Sequence, residues 1–158
     1  MNELSTTILN DDGLDYIPFD LPSTNEVYFK VLKADPENRR AVVKIKFGKN
    51  ANMPRHYHHC RAFAYTLSGE WEYDNGGFKA GDIAYESQGE EHTPTSENGA
   101  EMIILFDSDT DDFLDNYLPD GTVITLGIEF MTAMERISLA DAAKIDLHSI
   151  VKITPPTS

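Results

Sequence analysis

His56 and His58 are separated by one residue, and a third histidine, His92, follows 36 residues after the first. Imidazole is the commonest metal-ligating side chain in its neutral form. Residues i and i+2 of a β-strand point to the same face, so an extended His56-Tyr57-His58 offers two ring nitrogens to one ion. A distant strand must then supply the third. The stretch Gly81-Asp82-Ile83-Ala84-Tyr85-Glu86-Ser87-Gln88-Gly89-Glu90-Glu91-His92 has the form of such a strand, with the histidine just past a tight turn. The spacing predicts a mononuclear metal site inside a β-barrel. Cys60, Ala62 and Ala64 share parity with the histidine pair and are predicted to line the cavity beside the metal. Their small side chains either leave room for a substrate or simply fit the taper of a crowded barrel. Cys60 is read as a cavity-lining thiol rather than a ligand.

The opposite parity turns His59, Arg61 and Tyr57 away from the metal. Trp71 and Tyr85 are expected in the core, and His148, which has no partner motif, on the surface. The run Asp107-Ser108-Asp109-Thr110-Asp111-Asp112 invites a calcium reading. A helix-loop-helix calcium loop starting at Asp107 would need glycine at Asp112 and glutamate at Leu118, and has neither. An acidic, solvated loop is the better reading.

These residues need strands to position them, and the chain supplies the signals. From Arg40 to Phe47, Ala41, Val43, Ile45 and Phe47 share one face while Lys44 and Lys46 share the other, the pattern of a half-buried strand. Glu26 to Leu32, Arg61 to Leu67, Glu70 to Tyr73, Phe78 to Ala80, Asp82 to Glu86 and Glu101 to Phe106 read similarly. Asp74-Asn75-Gly76-Gly77 is a hairpin turn, because Asn-Gly and Gly-Gly accept positive φ. Phe113 to Tyr117 and Thr122 to Ile128 flank Leu118-Pro119-Asp120-Gly121, which reads as a second hairpin. Only the C-terminal part looks helical, with Ser138 capping a short helix and Asp141 near its positive dipole end. The fold class predicted is all-β, a closed antiparallel barrel or jelly roll with a short C-terminal helix. Its parts are an N-terminal arm over residues 1–25, a barrel over 26–130, and a helix and tail over 131–158.

The bulk properties agree with one folded domain of 158 residues, at 41% hydrophobic and 25% charged. A net charge of −14 argues against nucleic acid, which needs a basic footprint, and against an anionic membrane. A single cysteine excludes an intramolecular disulfide. Met1-Asn2-Glu3-Leu4-Ser5 lacks the basic and apolar regions of a signal peptide, and no apolar run is long enough to span a bilayer. The expected compartment is a reducing cytoplasm.

At this point the residues resemble a family. The first cupin motif has a glycine, a His-x-His pair, usually a glutamate four or five residues on, and a closing glycine; here these are Gly48, His56, His58 and Gly69. The second motif resembles Gly81, Gly89 and His92, with Ser87 where proline is usual and Ser96 where asparagine is common. The resemblance covers roughly residues 26 to 130. The position of the usual metal-binding glutamate falls at Ala62 or Phe63, neither of which can coordinate, so a three-histidine site is implied. Pro54-Arg55-His56-Tyr57-His58, Tyr65-Thr66-Leu67-Ser68-Gly69-Glu70-Trp71 and Gly89-Glu90-Glu91-His92-Thr93 are similar to one branch in particular. It comprises single-domain cupins of the 2,4'-dihydroxyacetophenone dioxygenase and acetylacetone-cleaving dioxygenase type, which overlap with the ChrR-like cupins.

The resemblance implies a homodimeric cupin jelly roll holding one divalent metal ion, Fe(II) by preference, with Zn or Ni as alternatives. It implies a small diketone or hydroxyketone substrate whose carbon–carbon bond is cleaved with dioxygen. Glu86 matches a glutamate that, in the diketone-cleaving relatives, acts from outside the ligand set. Its physical use would be to hydrogen-bond a ligating imidazole or a metal-bound water; a direct fourth ligand and a solvated strand-end residue remain open. Two other readings keep the fold: a non-catalytic ChrR-like sensor or regulatory module, and a metal-dependent isomerase or lyase. Imidazole ligands alone suit Fe, Ni, Zn and Cu alike.

Overall fold

The computed structural model describes residues 5–157, so the segment Met1–Leu4 on which the signal-peptide reading rests lies outside the described residues. The chain forms β1 (Ile17–Pro18), β2 (Asn25–Asp35), β3 (Arg40–Asn52), β4 (His56–His58) and the long β5 (Cys60–Tyr73). Next come β6 (Gly76–Lys79), β7 (Ile83–Glu86), β8 (Glu91–His92), β9 (Thr95–Ser96) and β10 (Ala100–Ser108). After β11 (Asp112–Tyr117) and β12 (Val123–Gly127), two short helices, α1 (Ile128–Met134) and α2 (Leu139–Ala142), precede the final strand β13 (Lys152–Thr154).

Two antiparallel sheets face each other as a jelly-roll barrel. The larger runs β1-β2-β3-β10-β5-β6, with β7 added on β5 and β9 on β3 and β5; the smaller runs β13-β12-β11-β4-β8. The alternation read in β3 decides which side is buried. Ala41, Val43, Ile45 and Phe47 face the interior, where β10 sets Phe106, Ile104, Met102 and Ala100 beside them in register. On the other flank of β10, Ala62 and Ala64 of β5 stand beside Phe106 and Ile104. Large beside small across adjacent strands lets the inner layer fill without overlap. Gly69 makes the closing turn possible: its φ is +75°, and a side chain there would collide with the Gly99 carbonyl.

The N-terminal arm lies on the outer surface of this sheet. Asp11 accepts from Lys44 at 2.8 Å and from Lys30 at 3.2 Å, and Tyr16 donates to Glu101 at 2.8 Å. The Asp107–Asp112 segment runs from the end of β10 through the turn to the start of β11. Its carboxylates are taken by Arg39, Arg40, Arg61 and Lys152.

Two expectations need correction. A helix, α1, begins at Ile128, inside the segment read as barrel strand, and buries Ile128, Phe130, Met131 and Met134. It has no side-chain cap at Gly127, so the usual start signal is missing. Glycine is required there because a Cβ would strike the Asp111 carbonyl. Tyr85, expected in the core with Trp71, is 71% exposed on the outer face of β7, whereas Trp71 is buried and donates to Thr66. The Ser138 cap holds as read, its side chain accepting from the Asp141 amide. His148 is exposed.

Candidate metal centre

β4 and β8 pair antiparallel with His56 opposite His92, so one short ladder gathers all three histidines on one inner face. His56, His58 and His92 are buried, and one ring nitrogen from each lies within 4.8 Å of the others. The Nε2 atoms of His58 and His92 are 3.0 Å apart. Two nitrogens about 2.1 Å from a common ion and cis to each other are separated by roughly 3.0–3.4 Å, so this spacing suits a shared ligand sphere. Pro54 presents its carbonyl 3.2 Å from His56 Nδ1. A carbonyl only accepts, so Nδ1 carries the proton and Nε2 is left with its lone pair. That orientation by a backbone carbonyl is the usual support for a ligating imidazole.

Glu86 enters from the other sheet. Its carboxylate oxygens lie 3.8 Å from His58 Nε2 and 3.7 Å from His92 Nε2. In register, Glu86 of β7 stands opposite Ala62 of β5. Directly paired residues of an antiparallel ladder share a face. Glu86 thus presents its carboxylate on the inner face beside Ala62, within reach of His58 and His92.

Burial sets the electrostatics. Desolvation holds His56 well below the ordinary imidazole range, with help from the neighbouring His58 and His92. It lowers His58 to about 3, reinforced by His92 and His59, and His92 to about 4, reinforced by Arg55. Three neutral imidazoles with available lone pairs are what a cation requires. Burial, and then the charge of Glu90, raises Glu86 to about 8. Without a cation the Glu86 contacts thus join a protonated carboxyl to neutral rings, and a dication would remove that proton. The donor set fits one divalent ion.

Cys60, Ala62 and Ala64 are all buried on β5. Cys60 Sγ sits 3.9 Å from His58 Nδ1, and burial followed by the Glu86 charge pushes its thiol up to about 12. The chamber beside the histidines, about 30 Å³, is walled by other residues: His56, His58 and Glu86 with Phe47, Met102 and Leu114 among them. His59 turns outward to Asp115 at 2.8 Å, and Arg61 pairs with Asp107 and Asp109. A groove of about 410 Å³ lies along the β5–β6 hairpin and touches none of the histidines. Sequence reasoning missed Tyr73, whose ring stacks on His92 at 3.8 Å between centroids and 14° between planes. Its parity with buried Trp71 was the available signal.

Solved structures share this architecture. An RmlC-like cupin protein from Ralstonia eutropha JMP134 is 23% identical, with a TM-score of 0.72, covering 98% of this chain and 94% of its own. An acetylacetone dioxygenase from Acinetobacter johnsonii is 18% identical, with a TM-score of 0.66 and coverages of 85% and 95%. The polyketide cyclase RemF from Streptomyces resistomycificus is 14% identical, at a TM-score of 0.61 and coverages of 74% and 89%. At these identities the likeness establishes the fold. No curated protein matches the sequence. Residues 8–109 match the model of the ChrR cupin-like domain. That match spans well over half of the chain, and the protein belongs to the ChrR cupin-like family.

Proposed function

We propose that this cupin is a non-haem Fe(II) dioxygenase that cleaves a carbon–carbon bond of a small β-diketone or α-hydroxyketone. The observation that carries the reading is the buried set of His56, His58 and His92 with the Glu86 carboxyl beside two of them. The three neutral imidazoles would hold the ion and bring no charge of their own, leaving the Glu86 carboxylate as the anion beside it. A ferrous ion would supply Lewis acidity and the electrons for dioxygen. An enolate is the kind of anionic donor that such a centre would favour. Glu86 would act from outside the ligand set: its carboxylate takes the proton that the ketone loses on becoming an enolate. It then holds that proton 3.7–3.8 Å from the imidazole nitrogens. The apolar walls, Phe47, Met102 and Leu114 among them, exclude water from the reacting atoms. Anaerobic ferrous reconstitution, then oxygen uptake with a panel of diketones and hydroxyketones, tests this. Uptake with none of them would overturn it.

One observation favours a second reading, a metal-binding regulatory cupin or a metal-dependent isomerase or lyase. The chamber, at about 30 Å³, admits little more than a water molecule. Stoichiometric zinc or nickel in protein purified without an affinity column would support it.

The same proposal takes the chain to be a cytoplasmic homodimer with an arm over residues 1–25, a barrel over 26–130 and a C-terminal element over 131–158. Among the described residues no helix is long and apolar enough to cross a membrane. For the dimer the support is the outer face of β5, β7 and β10. Leu105–Phe63–Tyr85 and Ile103–Tyr65–Ile83 form two apolar rows in register there. Tyr85 and Ile83 are 71% and 63% exposed. The ends of this face carry Arg61, Asp107, Lys44 and Glu101 already paired, so it is locally neutral in a chain of net charge −14. Such a face meets a copy of itself without repulsion.

A further inference from the structure

Three spaces inside the molecule share walls. The chamber of about 30 Å³ beside the histidines and a second space of about 40 Å³ share Ile45, Met53, Phe106 and Leu114 in their linings. That second space is separated from a third, of about 130 Å³, by Phe19, Phe29, Leu126 and Phe130, which again line both. The third lies between the N-terminal arm and the C-terminal helices, with exposed Pro18 and Asp20 at its rim. Each neighbouring pair of spaces thus borders the same four side chains.

We propose that this series is the path by which dioxygen reaches the metal centre from the surface between the arm and the helices. The assignment rests on the dioxygenase reading. Every residue lining the middle space is apolar, and a space without polar partners stays dry and accepts apolar guests. Water is therefore a poor occupant. A water-sized guest needs roughly 10–15 Å³ of such space, so the inner two spaces, at about 30 and 40 Å³, each have room for a diatomic molecule. Met53, in the inner partition, is unbranched and flexible enough to swing aside. The arm and helices, which the sequence offers no chemical role, acquire one here: their apolar residues frame the outer opening.

The chain's one tryptophan, Trp71, is buried and walls the chamber at the end of the path. Trp71 also borders the surface groove along the β5–β6 hairpin, so the path is read from the difference in quenching between two proteins that share that groove, without any need for turnover. Zinc-loaded wild-type protein and Leu126→Phe, which narrows the outer partition, are compared by dioxygen quenching. The expected result is a severalfold loss of the quenching constant in Leu126→Phe, with unchanged quenching by acrylamide. Equal dioxygen quenching in the two proteins overturns the path. Xenon-pressurised crystals of the wild type provide a check that needs no variant to fold. Xenon between Ile45, Met53, Phe106 and Leu114 supports the path; xenon confined to the surface overturns it. Failure of the functional reading is distinguishable, because it would leave ferrous protein without oxygen uptake while the Trp71 quenching difference persisted.

Discussion

Glu86→Gln should stabilise the metal-free protein, and by an amount that grows with pH. Glu86 is buried, and its carboxyl is raised from 4.5 to about 8. Between those values the folded protein binds a proton that the unfolded chain has lost. Stability then falls as pH rises across the window, by up to 1.36 kcal/mol per pH unit for one group. The whole interval corresponds to about 5 kcal/mol, an upper bound because local opening and water penetration relieve part of it. Glutamine keeps the shape and carries no charge, so it removes this dependence. The lowered histidines act with opposite sign, adding stability as pH rises towards their unfolded values, but they are common to both proteins and cancel in the difference. Denaturant unfolding of chelator-treated wild type and Glu86→Gln between pH 5 and 8 measures it. A gap that widens steadily with pH supports the reasoning. A gap that stays constant would falsify it, since Glu86 would then be ionised or hydrated in the folded state.

Further outcomes follow from the same geometry. Binding of a divalent ion at pH 7 should release about one proton from Glu86 and none from imidazoles already neutral; calorimetry in buffers of different ionisation enthalpy should find that proton missing in Glu86→Gln. Replacing Tyr85 by Asp should dissociate a dimer built on the β7 face without altering metal content, read by light scattering. A standard interface buries about 800 Å² per partner, and an unchanged mass would place the contact elsewhere. Asp11→Asn should loosen the arm and speed its proteolysis at a cost of about 1 kcal/mol, discounted because Asp11 is partly exposed. Its carboxyl is lowered to about 2 by Lys44 and Lys30. The arm contact is thus complete above pH 4 and lost as pH falls towards 2, which proteolysis at pH 7 and pH 2.5 should register.

How much of this was legible beforehand depends on what kind of signal each residue gave. His56 and His58 were readable because strand parity is local, and His92 because its turn is marked by Gly89. The placement of Glu86 against Ala62 was not, since it depends on the register between β5 and β7, which no single segment encodes. The strand alternation of Arg40–Phe47 appeared as read because one of its faces is buried and the other carries lysines. Helix α1 was hidden for a physical reason: Gly127 sits there for close approach to Asp111 and supplies no capping side chain. Tyr85 misled because β-propensity says nothing about which face of a strand turns to the interior. Tyr73 was reachable by counting two residues on from Trp71, yet its stacking on His92 needed the smaller sheet to bring β8 across.

The most direct test is metal content followed by turnover in one preparation. Untagged protein, freed of metal and reconstituted with ferrous iron under anaerobic conditions, should bind one ion per chain. It should then consume one dioxygen per diketone cleaved, and His58→Ala should abolish both binding and uptake. Full iron occupancy with no oxygen uptake for any diketone or hydroxyketone would contradict the enzymatic account, and His58→Ala binding iron as tightly as the wild type would contradict the site.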